Sequence, residues 1–277
     1  MSERLAVIIV SWNVRDLLHA CLASLRAAFG DLSAQVIVVD SASTDGTPDH
    51  VRAAFPWVEL VACHENVGYV RGNNLALRRV LDQGTVEFVW LLNPDTVVHP
   101  GAPQALLRFM RDNPRCGLCG PKLVNPDGSL QHSAFALPGL IQLLLETQRP
   151  LWRFRDTWLD GRYPPARYAG VPFRVGHPLG AAMFARATAI RQVGLLDEGF
   201  EMYSEEIDWA VRMQRAGWEC WCVPQAVVTH HGGASSKQVS ERTERLKWQS
   251  RQRYYRKHYS PLKRWLALQL VPRRYRA

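Results

Sequence analysis

Residues 89–98 read VWLLNPDTVV. An apolar run stops abruptly at Asn93-Pro94-Asp95 and resumes at Val97 and Val98. Asn, Pro and Asp all favour turns, so the plain reading is a turn. The sharper reading is a metal-binding tip, with a carboxylate presented at the end of a buried strand and Pro94 setting the turn behind it. The two readings are compatible, and the flanking sequence bears on both.

Upstream, residues 5–10, 35–39, 58–63 and 86–92 are apolar runs of the kind found in strands buried on both faces. Residues 17–29, 48–55, 72–81 and 103–111 carry helical spacing; Leu17, Leu18, Cys21, Leu22 and Leu25 mark the first. This alternation predicts an α/β chain with a parallel, doubly wound sheet. Such sheets bind ligands beyond the carboxyl ends of their strands. Ser11, Asp40, Asn66 and the Asn93-Pro94-Asp95 tip all fall at or near that edge. The first strand is followed by SWNVRD rather than a G-x-G-x-x-G turn, and no Walker lysine loop occurs. An ordinary Rossmann dinucleotide site and a P-loop are therefore excluded.

Downstream the pattern is less regular. Residues 121–133 read as a strand and hairpin about the Pro126-Asp127-Gly128 turn, 180–184 and 221–228 as strands, and 205–216 as a helix. Residues 138–172, rich in Pro, Arg and Trp, show no clear period and read as an excursion on the acceptor or partner side. The last 35 or so residues read as basic, broken helices.

The 277 residues, 47% hydrophobic, support one large domain with or without a small appendage. The net charge of +9 is concentrated in residues 242–276, where only Glu244 opposes the cations. Such a tail suits nucleic acid, an anionic membrane surface or a solvated helix face. Trp248, Tyr254, Tyr255, Tyr259 and Trp265 are interleaved with the charge, a mix that suits a headgroup interface. No RNP or GXXG motif accompanies it, so no nucleic-acid partner is expected. No apolar run approaches the roughly 20 residues of a membrane span, and residues 1–13 lead directly into a strand with no signal-peptide pattern. A cytoplasmic protein, peripheral on the inner face of the membrane, is the expectation. Cys116-x-x-Cys119 and Cys220-x-Cys222 could in principle supply zinc thiolates, but both lie in strand-like apolar contexts about a hundred residues apart. Reduced core cysteines are expected instead.

Together these segments resemble inverting glycosyltransferases of family 2. The resemblance runs over about residues 5–237, with motifs in the family's order: VIIVSWNVRDLLHACLASL, VIVVDSASTDGT, NVGYVRGNNLAL, LLNPDTVV, GPKLVNPDGSLQ, the long stretch from LGAAMFAR to EEIDWAVRMQRAGW, and VVTHHGGASS. The NPD and EEIDW forms resemble the branch that builds bacterial surface polysaccharides, which includes rhamnosyltransferases using a dTDP-sugar. The resemblance implies the GT-A fold, a mostly parallel Rossmann-like nucleotide-binding sheet flanked by helices. Residues 1–120 would form the nucleotide-sugar half and 121–237 the acceptor and catalytic half of one domain, and 238–277 a basic aromatic helical tail. It also implies transfer of a sugar, rhamnose for this branch, from a dTDP- or UDP-sugar to a hydroxyl of a glycan or lipid-linked acceptor.

The resemblance assigns roles residue by residue. Asp40 takes the imide N–H of uracil or thymine, with Ser11 lining the same pocket; the residues alone equally allow an Asx turn at Asp40. Arg71 and Asn74 belong to a donor-rich loop leading into a helix, facing the diphosphate or sugar, although Asn73 or Asn74 could instead cap that helix. Asn93 replaces the first acid of the family's D-x-D, leaving Asp95 as the metal contact. His230 completes the metal site, with His231 one residue away as the alternative. A diphosphate calls for a hard cation, Mg2+ or Mn2+. Glu206 takes the place of the general base, with Glu205 and Asp208 as alternatives. Read without the resemblance, these acids suit a helix N-terminus capped by Ser204, and Asp208 can pair with Arg212. Gly180 and Ala181 line the sugar pocket, and His177 stands where many relatives carry an aromatic residue. Two other classes remain. A nucleotidyltransferase would want a glycine-rich basic loop after the first strand, absent here; a non-catalytic sugar-nucleotide binder is compatible with Asn93.

Overall fold

The computed structural model describes residues 5–154, 157–232 and 240–275. Gly233, the Ala-Ser-Ser that follows and the expected boundary at Lys237 lie outside the described residues. The first half alternates as its apolar runs predict. β1 (Leu5–Ser11), α1 (Arg15–Phe29), β2 (Ala34–Asp40), α2 (Thr47–Ala54), β3 (Glu59–Ala62), α3 (Gly68–Asp82) and β4 (Phe88–Leu92) build a parallel sheet in the order β3-β2-β1-β4. Every residue of β1 is buried because both faces are covered. Leu5, Val7 and Ile9 pack toward α1, while Ala6, Ile8 and Val10 pack toward α3. Gly72 of α3 lies close enough to β1 that an added Cβ would meet Val10 Cγ1 at 2.8 Å, so this helix can seat only with glycine there.

After the Asn93-Pro94-Asp95 tip the chain continues as β5 (Thr96–Val98), α4 (Ala102–Asp112), β6 (Cys116–Val124), β7 (Leu130–Gln131), β8 (Ala134–Phe135) and α5 (Leu140–Thr147). Next come β9 (Phe173–Arg174), β10 (His177–Pro178), β11 (Ala182–Arg186), α6 (Ala187–Val193), α7 (Glu205–Arg215) and β12 (Glu219–His230). The main sheet runs β3-β2-β1-β4-β11-β6-β12-β5, with β11 antiparallel to both of its neighbours. β5 pairs antiparallel with β12 at the far end of this order, and Thr96 stands opposite His230.

Three local readings change. α3 begins at Gly68, so Arg71 and Asn74 lie inside a helix rather than in a loop before it, and neither Asn73 nor Asn74 is a cap. The unpatterned stretch after residue 138 contains α5 and three 3-10 turns, Arg149–Phe154, Trp158–Asp160 and Pro165–Ala169. The sequence gives α5 no helical period, because LIQLLLET is apolar nearly all round. The tail forms α8 (Ser240–His258) and α9 (Pro261–Leu270), but its aromatics do not line a headgroup face as a set. Trp248, Tyr254 and Tyr255 are buried against Phe200, Ile207 and Val211 in a third core cluster, and of the five tail aromatics only Trp265 is classed as exposed. An amphipathic helix whose apolar face finds a protein partner buries it there.

The cysteines are all free. Cys220 and Cys222 pair in register with Leu118 and Gly120, so the two motifs lie on adjacent strands despite their sequence separation. Cys116 and Cys119 face one core cluster and Cys220 and Cys222 the other, which rules out a shared four-thiolate site. No helix among the described residues is long and apolar enough to cross a membrane.

Candidate active site

The carboxyl ends of β1 and β2 form the first wall. Ser11 and Asp40 are register partners there, both almost wholly buried. Asp40 Oδ2 accepts from the Ser43 N–H at 2.9 Å, which is the local turn expected from the residue type. Asp40 Oδ1 and Ser11 Oγ, however, are buried with no hydrogen-bond partner. Buried acceptors are normally satisfied, so this adjacent orphan pair asks for a donor from outside the chain. The two loops are laced together: Asn13 Oδ1 accepts from Thr44 N at 2.7 Å, and Asp45 Oδ2 from Arg15 N at 2.9 Å. Asn13 (φ 51) and Ala42 (φ 58), one beyond each strand, hold left-handed backbone that side chains disfavour.

On α3, Asn74 is committed elsewhere. Its amide N–H groups donate to the Leu196 carbonyl (2.9 Å) and Glu198 Oε1 (3.0 Å), and its Oδ1 accepts from Leu196 N (3.1 Å). Asn74 thus anchors the loop ahead of α7 and has no amide hydrogen left for a nucleotide. Arg71 lies one turn earlier with its side chain exposed, close enough for its charge to help lower the Glu198 carboxyl.

The Asn93-Pro94-Asp95 tip meets two distant segments. Asn93 N donates to the Ala181 carbonyl at 2.9 Å, which fixes the Gly180-Ala181 segment against it. Asp95 and His230 converge, with Asp95 Oδ1 3.4 Å from His230 Nε2, and the His231 N–H donates to the Asp95 carbonyl at 2.9 Å. The side chain of His230, rather than that of its neighbour, therefore faces the carboxylate. Gln131, the last residue of the GPKLVNPDGSLQ motif and one given no role from sequence, sets the imidazole. Its amide N–H groups go to Asn125 Oδ1 and the His230 carbonyl, so its Oε1 accepts from His230 Nδ1 at 2.7 Å. In the neutral imidazole that this contact leaves with its proton on Nδ1, Nε2 turns a lone pair toward the carboxylate. Two acceptors facing each other are reconciled by a cation, and a carbonyl oxygen holding the other ring nitrogen is the usual support for a metal-ligating histidine. Adjacent ligands of an octahedral ion with bonds of about 2.1 Å lie about 3 Å apart, so the residues fit a Mg2+- or Mn2+-like ion after a small relaxation. Among the described residues no third His, Cys, Asp or Glu completes a protein-only cluster.

The acids lie at the start of α7. Tyr203 (φ 66) and Ser204 (φ 67) enter the helix in left-handed backbone, and Ser204 makes no side-chain cap; its Oγ is buried without a partner. Glu205 and Glu206 each have a buried Oε2 without a partner. Burial raises both carboxyls; the neighbouring Glu206 charge raises Glu205 further, whereas Arg251 pulls Glu206 down. Glu205 is shut in; burial, and then the nearby Glu205 and Glu206 charges, push up the Tyr69 hydroxyl. Glu206 instead lines an open cleft with Tyr203, Ile207, Lys247 and Arg251. A Cβ added to Gly180 would sit 3.7 Å from Glu206 Cβ, and Tyr69 Oη donates to the Gly180 carbonyl at 2.9 Å. Glu206, Gly180, Ala181 and Asn93 are thereby linked in a continuous chain of contacts to Asp95 and His230. His177 is a buried ring stacked on Phe135, and burial pushes it down to about 4, so it remains neutral packing.

Asp208 is enclosed in an ion cluster. It accepts from Arg212 Nε (2.8 Å), Lys257 Nζ (2.7 Å) and His258 Nε2 (2.7 Å) with none of its side chain exposed. Burial alone would raise it, but hydrogen bonds from His258 and Lys257 and the Arg212 charge hold it far below the usual carboxylate range. A depressed folded-state pKa means its stabilisation is present above the unfolded value and is lost as pH falls below the carboxylate range. Asp208→Asn removes the wholly buried carboxylate that Arg212, Lys257 and His258 share and costs about 3–5 kcal/mol in urea denaturation; an unchanged midpoint would show that the network contributes nothing.

Known proteins share the sequence pattern and the fold. The family model described as Glycosyl transferase family 2 matches residues 6–156. The N-acetylglucosaminyl-diphospho-decaprenol L-rhamnosyltransferase of Mycobacterium tuberculosis is 32% identical over 244 residues, 85% of this chain and 78% of the relative. A mannosyltransferase from Pyrobaculum calidifontis, solved with GDP-Man and Mn2+, superposes with a TM-score of 0.64 at 18% identity over 98% of this chain and 73% of its own. GalNAc-T7, solved with UDP, GalNAc and Mn2+, superposes at a TM-score of 0.61 and 13% identity, and the chain spans 52% of its length. These neighbours share the GT-A fold, and the catalysis of glycosyl transfer in glycan or polysaccharide synthesis follows from the family. The chain belongs to glycosyltransferase family 2 and resembles its rhamnosyltransferases.

Proposed function

We propose that this glycosyltransferase is metal-dependent and inverting. It moves a sugar, rhamnose by analogy with the mycobacterial relative, from a dTDP- or UDP-sugar to a hydroxyl of a glycan or lipid-linked acceptor, acting in the cytoplasm. The observation that carries the reading is Glu206: a carboxylate with an unpartnered oxygen, in an open cleft, against the Gly180-Ala181 segment that is bonded to the metal-side tip. Asp40 Oδ1 and Ser11 Oγ receive the pyrimidine, where the carboxylate accepts the imide N–H that cytosine lacks. Asp95 and His230 would hold Mg2+ or Mn2+, which when bound supplies positive charge to the departing diphosphate. Glu206 takes the acceptor proton as its oxygen attacks the anomeric carbon from the face opposite the diphosphate, which inverts the configuration. No covalent enzyme intermediate is required.

A thermal-shift screen with Mn2+ or Mg2+ tests the donor side. A dTDP- or UDP-sugar at a hundred times its Kd stabilises the chain by about 2.7 kcal/mol. The corresponding CDP-sugar gives no shift, and an equal response to it would overturn the role of Asp40. In the same assay Asp40→Asn weakens the matched donor by about 1.5–3 kcal/mol, the range for a hydrogen bond to a charged group. Asn93 favours one other reading, a nucleotide-sugar binder without turnover. It would show donor stabilisation and no transfer to any acceptor.

A further inference from the structure

The aromatic side chains of α8 are spent on the protein core, yet a large apolar surface remains exposed nearby. It is carried by α9 together with α5 and the two 3-10 turns that follow α5. Leu262 (69% exposed), Trp265 (59%) and Leu266 lie on α9; Ile141 (55%) lies on α5; Trp152 and Trp158 (75%) lie on the turns. These elements touch: α9 packs on α5, and both turns pack on α5. On α9, positions 262, 265 and 266 share one helical face. Ala267 and Val271, on or just beyond the helix, are buried in the third core cluster. The apolar stripe therefore points away from the protein by the same packing that seats the helix. Scattered exposed apolar residues are ordinary, but six large ones on touching elements are a surface that something covers.

The charge around it is mostly positive, and Asp160, the acid of the second turn, lies 3.5 Å from Arg162 Nε. Lys263, Arg264, Arg273 and Arg274 are exposed, and no acidic residue occurs from residue 245 onward. Arg149 lies 5.9 Å from the Trp152 ring centre and Arg274 4.7 Å from that of Tyr275. The one carboxylate of α5, Glu146, is turned to the interior side, 2.7 Å from Lys247 Nζ and 3.8 Å from Arg251 Nη2. Apolar and indole side chains ringed by exposed cations match the acyl-headgroup boundary of an anionic bilayer.

We propose that the surface formed by α5, the turns Arg149–Phe154 and Trp158–Asp160, and α9 docks on an anionic lipid surface. Lys247 and Arg251, which bind Glu146 of α5, also line the Glu206 cleft. α5 thus joins the docked face to the residues that line that cleft. Delivery of a lipid-linked acceptor to that cleft rests on the glycosyl-transfer reading; the docking itself does not.

Vesicle co-sedimentation of the full chain tests this, using phosphatidylcholine vesicles with and without phosphatidylglycerol. The native chain binds the anionic vesicles and is released by salt. The combined variant L262S/W265S/L266S loses about tenfold or more in vesicle affinity, and I141S/W158S loses a comparable factor although it lies outside the tail. R245Q/R256Q, which removes exposed α8 cations, has the smaller effect. Near-native melting of each variant, and native transfer to a short water-soluble acceptor, establish that the fold and active site are intact. If the apolar variants bind as the native chain does, or the native chain does not bind anionic vesicles, the proposal is overturned. It is equally overturned if they convert a native dimer to monomer with vesicle binding unchanged, since the face then joins two copies. Vesicle binding by a chain that transfers no sugar would leave the docking surface standing and remove the glycosyl-transfer reading instead.

Discussion

Glu206→Gln is expected to cut sugar transfer by about 10²- to 10⁴-fold, the usual contribution of a positioned general base, while leaving the donor-induced thermal shift intact. The substitution keeps the size of the side chain and removes only its ability to take a proton. Glu205→Gln is the matched control, because Glu205 is enclosed beside Tyr69 and does not line the cleft. If Glu205→Gln abolishes turnover and Glu206→Gln does not, the assignment of the base moves by one residue. The pH profile gives an independent reading. Burial raises the Glu206 carboxyl, so the acid limb of kcat/KM lies above the ordinary carboxylate range, and transfer grows as pH rises through it. Arg251 opposes that rise, so Arg251→Gln moves the limb to still higher pH. An acid limb unmoved by either substitution would mean that another group sets it.

Asp95→Asn is expected to have an effect of similar size on the donor side. Removing the one carboxylate of the tip lowers cation affinity, and with it the several kcal/mol that a cation contributes to charge build-up on the leaving diphosphate, roughly a thousandfold in rate. The readout apart from turnover is the thermal shift with Mn2+ and nucleoside diphosphate, which shrinks to the value seen with chelator. Gln131→Ala tests the support for His230. It weakens cation affinity by about 10–100-fold, as loss of an outer partner of a ligating histidine does, without touching the cation itself. Native Mn2+ dependence in Asp95→Asn would place the cation elsewhere.

How legible this site was differs from residue to residue. Asp40 and Asp95 could be found because each ends a buried apolar strand, and a doubly wound sheet sends all such ends to one edge. Asn74 was misread because a run of Asn and Gly looks like a loop. Its amide bonds Leu196 and Glu198, more than a hundred residues away, and those partners hold it inside a helix. Gln131 closes the GPKLVNPDGSLQ motif, but its role shows only in its contact with His230 across 99 residues of sequence. Asp208 was one acid among three until Lys257 and His258 of α8 closed on it. The aromatics of the tail were read as an interface because apolar and basic residues alternate there; which of them face lipid and which face Phe200 and Ile207 is a matter of helix rotation.

Short-range pattern alone was enough for the alternation of strands and helices in the first half, the parallel sheet and the rim of polar strand ends. Each of these follows from backbone hydrogen bonding and the burial of apolar runs within a few residues. The tertiary structure decided the meeting of Asp95 with His230, the separation of enclosed Glu205 from open Glu206, and the use of α8 as core and α9 as exposed face. Those outcomes depend on pairing of β5 with β12 and on packing of α8 over α7, contacts between segments far apart in the chain. Periodicity does not encode such contacts, because any apolar face can be satisfied by more than one partner until the whole chain has folded.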